Sequence, residues 1–184
     1  MVVSGLPGSG KTTLARKLAP ALSLPLLDKD DILEGLFETL GIGDADWRRR
    51  LSRASDEILQ RLARNSSGAV LTSFWRNPEM SPLSGTPTDW IVSASRRIVE
   101  VYCVCDPQVA AMRFVNRRRH PGHLDSAKRV EDVLSGFRTL SATGPLGVGK
   151  VLRVDTVKEV DLNLVASEVK ALLRLALESG TEKK

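Results

Sequence analysis

A glycine-rich segment near the start of the chain has the residue types that bind phosphate. It satisfies every fixed position of the pattern G-x-x-x-x-G-K-[ST] with the run Gly5-Leu6-Pro7-Gly8-Ser9-Gly10-Lys11-Thr12. Glycines let the backbone turn its amides inward around phosphate oxygens, and the helix that follows adds its positive N-terminal end. Lys11 can reach the β and γ phosphates of a nucleoside triphosphate, and the Thr12 hydroxyl can bind Mg²⁺. The sequence therefore predicts a site for ATP or GTP formed by Gly8, Ser9, Gly10, Lys11, Thr12 and Thr13, with Mg²⁺ at Thr12.

Acidic residues follow a second apolar run, at residues 24–27. Asp28, Asp30 and Asp31 then stand at the carboxyl end of a predicted parallel strand, where α/β sheets hold their ligands. Asp31 and Glu34 have the spacing of a capping box, which leaves Asp30 free. A carboxylate at this place can accept the proton of an attacking hydroxyl, as phosphoryl transfer to an alcohol requires. The alternative is that all three acids are solvated or capping charges, and spacing alone does not separate these hypotheses.

Arginines cluster in residues 113–123. Arg113 and Arg117 lie four residues apart on a predicted helix and are expected to share one face. Arginines on a closing lid can stabilise the negative charge that phosphoryl transfer spreads over the γ oxygens. Pro121 and Gly122 would supply a hinge or a turn. An arginine run by itself is more typical of a solvated helix face, but the phosphate loop favours the lid.

Short apolar runs alternate with longer segments of helical period along the chain, as in a parallel sheet covered by helices. The predicted strands are residues 1–4, 24–27, 69–74, 98–104 and 151–155. The predicted helices are residues 11–19, 31–40, 46–65, 107–118, 128–140 and 161–177. Residues 77–89 and 118–125 are predicted to be loops. This pattern predicts a three-layer α/β fold with a five-stranded parallel sheet and an arginine-rich lid.

Size and composition fit one soluble domain. The chain has 184 residues, of which 42% are apolar, enough for one core. We expect a single domain at residues 1–178, with the lid at about 113–127 and a flexible tail at 179–184. A net charge of +5 suits an anionic ligand without separating nucleotides from nucleic acids. Cys103 and Cys105 alternate along one strand, so free thiols in a reducing cytoplasm are expected, and we see neither an export signal nor a membrane span.

The segments at residues 5–13, 26–32, 71–79 and 113–123 resemble the small P-loop kinases related to polynucleotide kinase, zeta toxin and chloramphenicol phosphotransferase. The likeness extends in style to antibiotic phosphotransferases, including those acting on nucleoside antibiotics such as capuramycin. It implies a kinase that phosphorylates a hydroxyl of a small molecule, with self-resistance to an antibiotic as one such role. It also implies that Asp30 is the base, that Arg113 and Arg117 are lid arginines, and that the sheet is of the nucleoside monophosphate kinase type.

Two departures from that resemblance affect the expected substrate and metal. Ser73 stands where polynucleotide kinases commonly have Asp, so Mg²⁺ would depend on Thr12, the nucleotide phosphates and Asp28 or Asp30. Leu33 stands where those kinases carry an arginine for the substrate phosphate, which argues against nucleic acid as partner. A 5′-hydroxyl polynucleotide kinase and a nucleotide-dependent switch without transfer remain the alternatives. The oligomeric state is not predicted.

Overall fold

A computed structural model describes residues 1–77, 84–94, 97–124 and 129–181 of the chain. Within these residues five strands form one sheet with the order β2-β3-β1-β4-β5, and every neighbouring pair is parallel. The strands are β1 (Val2–Gly5), β2 (Leu26–Asp28), β3 (Val70–Thr72), β4 (Val99–Val104) and β5 (Lys150–Asp155). The predicted five-stranded parallel sheet is confirmed.

The helices follow the predicted order with shifted ends. They are α1 (Lys11–Ala21), α2 (Lys29–Leu40), α3 (Ala45–Asn65), α4 (Asp89–Ala94), α5 (Pro107–Asn116), α6 (Val130–Thr143) and α7 (Leu162–Thr181), with a short 3-10 helix at Pro121–His123. The sequence did not predict α4, since its 6 residues are too few to show a helical period. The last helix continues past residue 179, where a tail was predicted, and residues 182–184 lie outside the described part. Among the described residues, no helix combines the length and apolar character needed to cross a bilayer.

Alternating side chains of the strands form cores on both faces of the sheet. Val3 and Val101 pack with apolar residues of α1 and α7 on one face. Val2 and Leu71 pack with α3 and α4 on the other, where Trp75 is buried and donates from Nε1 to the carbonyl of Val3 at 2.9 Å. Because successive side chains of a strand point to opposite faces, these apolar runs produce three layers.

The helical hairpin of α2 and α3 has its own small core. Leu33, Phe37 and Leu51 are buried together, with Trp47 packed at the edge. Leu33 is 2% exposed, so its side chain belongs to this core. The hairpin begins directly after β2 and thereby places the acidic residues at the carboxyl edge of the sheet.

A buried carboxylate connects the phosphate-loop strand to the segment before β5. Glu100 is fully buried in β4 and accepts hydrogen bonds from the Ser4 hydroxyl and from the amides of Leu146 and Gly147. These three donors satisfy a charge that burial would otherwise make costly. Both cysteines are buried and free, as predicted.

Candidate active site

The loop between β1 and α1 has the backbone conformation that the phosphate motif predicts. Gly8 and Gly10 adopt φ angles of +78° and +89°, which residues with side chains rarely adopt. A Cβ on Gly8 would lie 2.2 Å from the carbonyl oxygen of Ala110 on α5. Glycine is therefore required for the loop to pack against that helix.

Lys11 lies beneath this loop. Its side-chain Nζ donates to the carbonyl of Leu6 at 2.7 Å, and the residue is 8% exposed. Burial lowers the pKa of Lys11 to about 8, with the Arg117 guanidinium acting in the same direction, while Asp30 and Asp28 raise it. The ammonium therefore stays protonated at neutral pH and within electrostatic range of both carboxylates.

An open cleft of about 590 Å³ lies beside the loop. Pockets of roughly 300–1,000 Å³ hold small molecules, so a nucleoside triphosphate fits. The lining residues are Gly8, Gly10, Lys11, Thr12, Thr13, Leu14, Lys17, Arg113, Arg117, Thr156, Lys158, Glu159, Val160 and Leu162. Of the predicted nucleotide residues only Ser9 is absent from this wall, because it is fully buried and donates its N–H to the carbonyl of Leu6 at 3.1 Å.

Arg113 and Arg117 both line the cleft, but they do not share a helix face as predicted. The helix α5 ends at Asn116, and Arg117 has an extended backbone with φ −75° and ψ 140°. Nη1 of Arg113 donates to the carbonyl of Thr156 at 3.2 Å. The Arg117 guanidinium lies 4.5 Å from the centre of the Phe114 ring. The helix therefore ends two residues before the predicted residue 118.

The last residue of β2, Asp28, caps α2 with its side chain. Oδ1 accepts a hydrogen bond from the amide of Asp30 at 3.0 Å. Burial raises the pKa of Asp28 to about 6. The Thr12 hydroxyl lies near enough to oppose this shift, yet no hydrogen bond of normal geometry reaches the buried Oδ2. One carboxylate oxygen thus lies beside the phosphate loop without a donor.

The predicted capping box at Asp31 and Glu34 is wrong. The helix begins two residues earlier, because Asp28 and not Asp31 supplies the cap. Asp31 pairs with Arg16 on α1 at 2.9 Å, and both side chains are more than half exposed. Oε1 of Glu34 lies 2.8 Å from Nε2 of His123. Both acids therefore have tertiary partners that spacing did not reveal.

The predicted base, Asp30, is paired with an arginine that sequence reasoning did not single out. Nη2 of Arg119 lies 2.5 Å from Oδ2 of Asp30, although the two residues are 89 positions apart. The Arg119 side chain is 16% exposed and that of Asp30 is 41% exposed. Asp30 is therefore paired, whereas the sequence spacing had predicted that it is free. The arginine run was a visible signal, but only the end of α5 decides which of its members meets the acid.

Residues 119–123, which we call the clasp, pack against α2 through further contacts. The His120 ring stacks on Phe37 with centroids 5.4 Å apart and an interplanar angle of 8°. His123 is buried against Glu34, and burial lowers its pKa. A Cβ on Gly122 would lie 2.5 Å from a ring carbon of Phe37. Of the two predicted alternatives, a hinge or a turn, Pro121 and Gly122 form a tight turn packed on a helix. Residues 125–127 of the predicted lid lie outside the described part.

A chain of polar contacts connects Ser73 to the start of α2. The Ser73 and Thr86 hydroxyls are 2.6 Å apart, and Thr86 donates to Oδ1 of Asp56 at 2.7 Å. Asp56 lies 3.3 Å from Nζ of Lys29, which also donates to the Ser52 hydroxyl. The carboxylate near the end of β3 thus comes from α3, and the Ser73 hydroxyl is engaged with Thr86.

Thr12 and Asp28 form an oxygen pair that suits Mg²⁺. This ion prefers oxygen ligands and is usually bound by one or two carboxylates, several waters and substrate phosphates. The unpartnered Oδ2 of Asp28 and its raised pKa are consistent with a carboxylate that lacks a cation. In the described residues, no group of three or more His, Cys, Asp or Glu side chains is arranged to hold a metal. The ion would therefore need the nucleotide phosphates as additional ligands.

Known proteins similar to this chain are small kinases. The adenylyl-sulfate kinase of Yersinia pestis is 41% identical over 76 residues, which is 39% of this chain and 35% of that protein. The shikimate kinase of Corynebacterium jeikeium is 61% identical over 83 residues, or 41% of this chain and 45% of that protein. A solved structure of a candidate kinase from Chloroflexus aurantiacus has a TM-score of 0.72 and 26% identity, covering 94% of this chain and 96% of that one.

The family model covers more of the chain than either curated relative does. The chain spans only 35% and 45% of the lengths of the two curated relatives. These similarities do not confirm the narrower group of polynucleotide kinase, zeta toxin and chloramphenicol phosphotransferase. The family described as AAA domain (AAA_33) matches residues 1–140. That match covers more than half of the chain and includes the phosphate loop, Asp28, Asp30 and the clasp. The chain therefore belongs to the AAA domain family.

Proposed function

We propose that this protein transfers the γ-phosphoryl group of ATP or GTP to a hydroxyl of a small molecule. The observation that carries the proposal is the meeting of the phosphate loop with the β2–α2 carboxylates at one edge of the sheet. The Asp30 and Asp28 carboxylates both raise the pKa of Lys11, against the lowering by burial, and the Thr12 hydroxyl lowers the pKa of Asp28, against the raising by burial. The kinase identity of the similar proteins supports this reaction class.

In the proposed reaction the nucleotide phosphates lie on the amides of the loop, with Lys11 against the β and γ phosphates. Thr12 and Asp28 would hold Mg²⁺, which neutralises the charge that develops on the phosphate oxygens. Asp30 accepts the proton of the acceptor hydroxyl as its oxygen bonds to the γ phosphorus. The bond between that phosphorus and the bridging oxygen breaks, the nucleoside diphosphate leaves, and Asp30 returns the proton to water.

The two cleft arginines supply the remaining positive charge. Arg113 and Arg117 line the same cleft as Lys11 and Thr12, so both can approach a bound triphosphate. Arginines pair with phosphate oxygens through planar, charge-assisted hydrogen bonds. We assign them to stabilising the transferred group. Their position on the cleft wall supports this role.

The acceptor class is the finer part of the proposal. The resemblance of the sequence to antibiotic phosphotransferases is the reason to include hydroxylated antibiotics among the acceptors, and self-resistance would be the corresponding role. The buried free thiols of Cys103 and Cys105 support a reducing cytoplasm as the location. Leu33 lies in the α2–α3 core and offers no cation to a nucleic-acid end, so we keep nucleic acid as the less favoured acceptor.

The decisive experiment combines an acceptor panel with a matched pair of variants. Purified protein, Mg²⁺ and ATP or GTP are incubated with hydroxylated antibiotics, nucleosides, sugars and 5′-hydroxyl oligonucleotides, and products are scored by the mass of one phosphoryl group. Asp30→Asn should keep nucleotide affinity and lose about 10²–10⁴-fold in transfer, the usual contribution of a general base. Asp31→Asn, which changes an exposed acid in the same turn, should behave as wild type.

Three other outcomes of this assay would contradict parts of the proposal. Full transfer by Asp30→Asn would exclude this residue as the base. Phosphate on the oligonucleotide alone would favour a polynucleotide kinase. Tight nucleotide binding with no product from any acceptor would favour a nucleotide-dependent switch.

A further inference from the structure

We infer that the phosphoryl donor is GTP, and that Glu159 selects it by accepting hydrogen bonds from the guanine base. The inference rests on the proposed function, because it chooses between the two donors of that reaction. Glu159 is thereby a specificity-determining residue. It binds the base and takes no part in the transfer of the phosphoryl group.

The cleft beside the phosphate loop has one end for phosphates and another for the rest of the nucleotide. Phosphates bind to the loop amides and to the start of α1, so the triphosphate lies along residues 8–12. The remaining wall is formed by the side of α1 and by members of the segment 156–162. Val160 and Leu162 give this wall an apolar surface that suits the face of a base. The ribose and the base therefore lie against the segment 156–162.

The segment 156–162 is fixed to the rest of the fold. The amide of Thr156 donates to the carbonyl of Val104 at 3.0 Å. Four residues later, Val160 packs against the core that α1 and α7 form on their face of the sheet. Glu159 lies between these two attachments, so the fold sets its place in the cleft wall.

The charge of Glu159 is opposite to that of its surroundings in the cleft. Of the described residues that line the cleft, only Glu159 is acidic, and the five others with a charge are Lys11, Lys17, Arg113, Arg117 and Lys158. A carboxylate repels a triphosphate, so an acid in this wall weakens nucleotide binding unless it accepts hydrogen bonds from the ligand. The groups of the nucleotide that can donate are the ribose hydroxyls and the N–H groups of the base.

The neighbouring cations do not neutralise Glu159. Lys158 lies 3.8 Å from Oδ2 of Asp155, and Nη1 of Arg113 donates to the carbonyl of Thr156. Within the part of the chain that the structure describes, no ion pair includes Glu159. The exposed carboxylate is therefore available to a ligand in the cleft.

The position of Glu159 favours the base over the ribose. Thr156 adjoins the phosphate loop, since a Cβ on Gly10 would lie 3.9 Å from the Thr156 Cβ. Glu159 comes three residues later and directly precedes Val160, which belongs to the apolar surface that suits a base. The carboxylate thus lies where the edge of the base is expected.

The chemistry of a carboxylate separates guanine from adenine. An ionised carboxylate only accepts hydrogen bonds. Guanine has N1–H and the 2-amino group side by side, so both can donate to one carboxylate. Adenine has its 6-amino group beside N1, which is an acceptor and would face the second carboxylate oxygen. Bidentate pairing with a base edge discriminates against the wrong base by about 5- to 150-fold. Glu159 therefore favours GTP over ATP.

The test measures nucleotide binding in the absence of an acceptor. Wild type with Mg²⁺ is titrated in a calorimeter with non-hydrolysable analogues of GTP, ITP and ATP. ITP keeps the N1–H of guanine and lacks the 2-amino group. We expect the GTP analogue to bind at least tenfold more tightly than the ATP analogue, with the ITP analogue between them.

A matched pair of variants assigns the preference to Glu159. The side-chain amide of Glu159→Gln has one acceptor and one donor, which match the 6-amino group and N1 of adenine. This variant should bind the GTP analogue more weakly and the ATP analogue more tightly, which changes their affinity ratio at least tenfold. Glu168→Gln neutralises an exposed acid of α7 outside the cleft and should keep the wild-type ratio. Because both side chains are exposed, both variants should unfold at the wild-type temperature.

Analogues with 2′-deoxyribose and 3′-deoxyribose test the ribose hydroxyls as the alternative partners of Glu159. If Glu159 bound the ribose, Glu159→Gln would weaken the GTP and ATP analogues alike. The loss of affinity caused by removing a ribose hydroxyl would then be seen in wild type and not in the variant. This result would overturn the inference.

The inference is also overturned if wild type does not prefer the GTP analogue, or if the preference survives in Glu159→Gln. A preference for GTP without phosphoryl transfer to any acceptor would reject the proposed function and leave the assignment of the base standing. Equal binding and equal transfer from GTP and ATP would reject the assignment of the base and leave the kinase standing.

Discussion

Replacing Asp28 with asparagine should stabilise the protein while it weakens metal-dependent nucleotide binding. The amide keeps an oxygen that can accept the Asp30 N–H, so the cap of α2 is preserved. It removes a carboxylate whose Oδ2 is buried without a donor. The substitution therefore separates the cost of an uncompensated charge from the benefit of a ligand for Mg²⁺.

The size of the effect follows from the pKa of Asp28, which burial raises from 3.8 to about 6. At about 1.4 kcal/mol for each pKa unit, the ionised carboxylate destabilises the fold by about 3 kcal/mol. A buried NH₂ group without an acceptor returns about 1–2 kcal/mol of that gain. The expected net stabilisation is about 1–2 kcal/mol, or roughly 2–8 °C in Tm for a domain of this size.

The expected difference in stability between Asp28→Asn and wild type depends on pH. The folded protein holds the Asp28 proton more tightly than the unfolded chain does. The destabilisation by the ionised carboxylate is therefore absent below pH 3.8 and complete above about pH 6. The variant should therefore gain stability over wild type only as the pH rises through this range. Urea unfolding at pH 4 and pH 7.5, in EDTA and without nucleotide, measures both ends of the window.

Asp31→Asn serves as the control, because its carboxylate is exposed and paired with Arg16. With Mg²⁺ and ATP added, wild type should gain more stability than Asp28→Asn, because only the carboxylate binds the ion well. The reasoning is refuted if Asp28→Asn is no more stable than wild type at pH 7.5 in EDTA. It is also refuted if the advantage is the same at both pH values.

Three further predictions concern the loop, the end of β3 and the thiols. Gly8→Ala should lower nucleotide affinity tenfold or more in calorimetry, because its Cβ would lie 2.2 Å from the Ala110 carbonyl; unchanged affinity would show that the loop can move away from α5. Ser73→Ala should cost about 1 kcal/mol of stability through its lost bond to Thr86 and leave the Mg²⁺ requirement unaltered; a shifted Mg²⁺ dependence would instead place Ser73 at the metal. Native Cys103 should resist iodoacetamide at pH 8 and react on unfolding, since burial raises its pKa to about 12; rapid native labelling by mass spectrometry would contradict this.

The architecture was largely readable from the sequence, and so was the phosphate loop. Eight consecutive residues supply that loop, and their backbone conformation depends mainly on glycines and on the helix that follows. The apolar runs predicted five parallel strands because buried strands between helices must be apolar on both faces. The short helix α4 was missed, since 6 residues show no period.

The acidic residues show where local pattern fails. Both Asp28 and Asp31 have the right residue type to cap α2, and sequence spacing favoured Asp31 with Glu34. In the structure β2 ends at Asp28, so this residue is both the last residue of the strand and the N-cap of the helix. Glu34 was then available for His123.

The rest of the site was decided by the tertiary structure. Asp30 meets Arg119 across 89 residues, and Ser73 reaches Asp56 through Thr86 from three different segments. Each contact depends on where a helix ends and how a turn packs, as with α5 at Asn116 and Gly122 on Phe37. A sequence specifies a site when consecutive residues build it. When distant residues build it, their charges identify candidates, and only packing selects the partners.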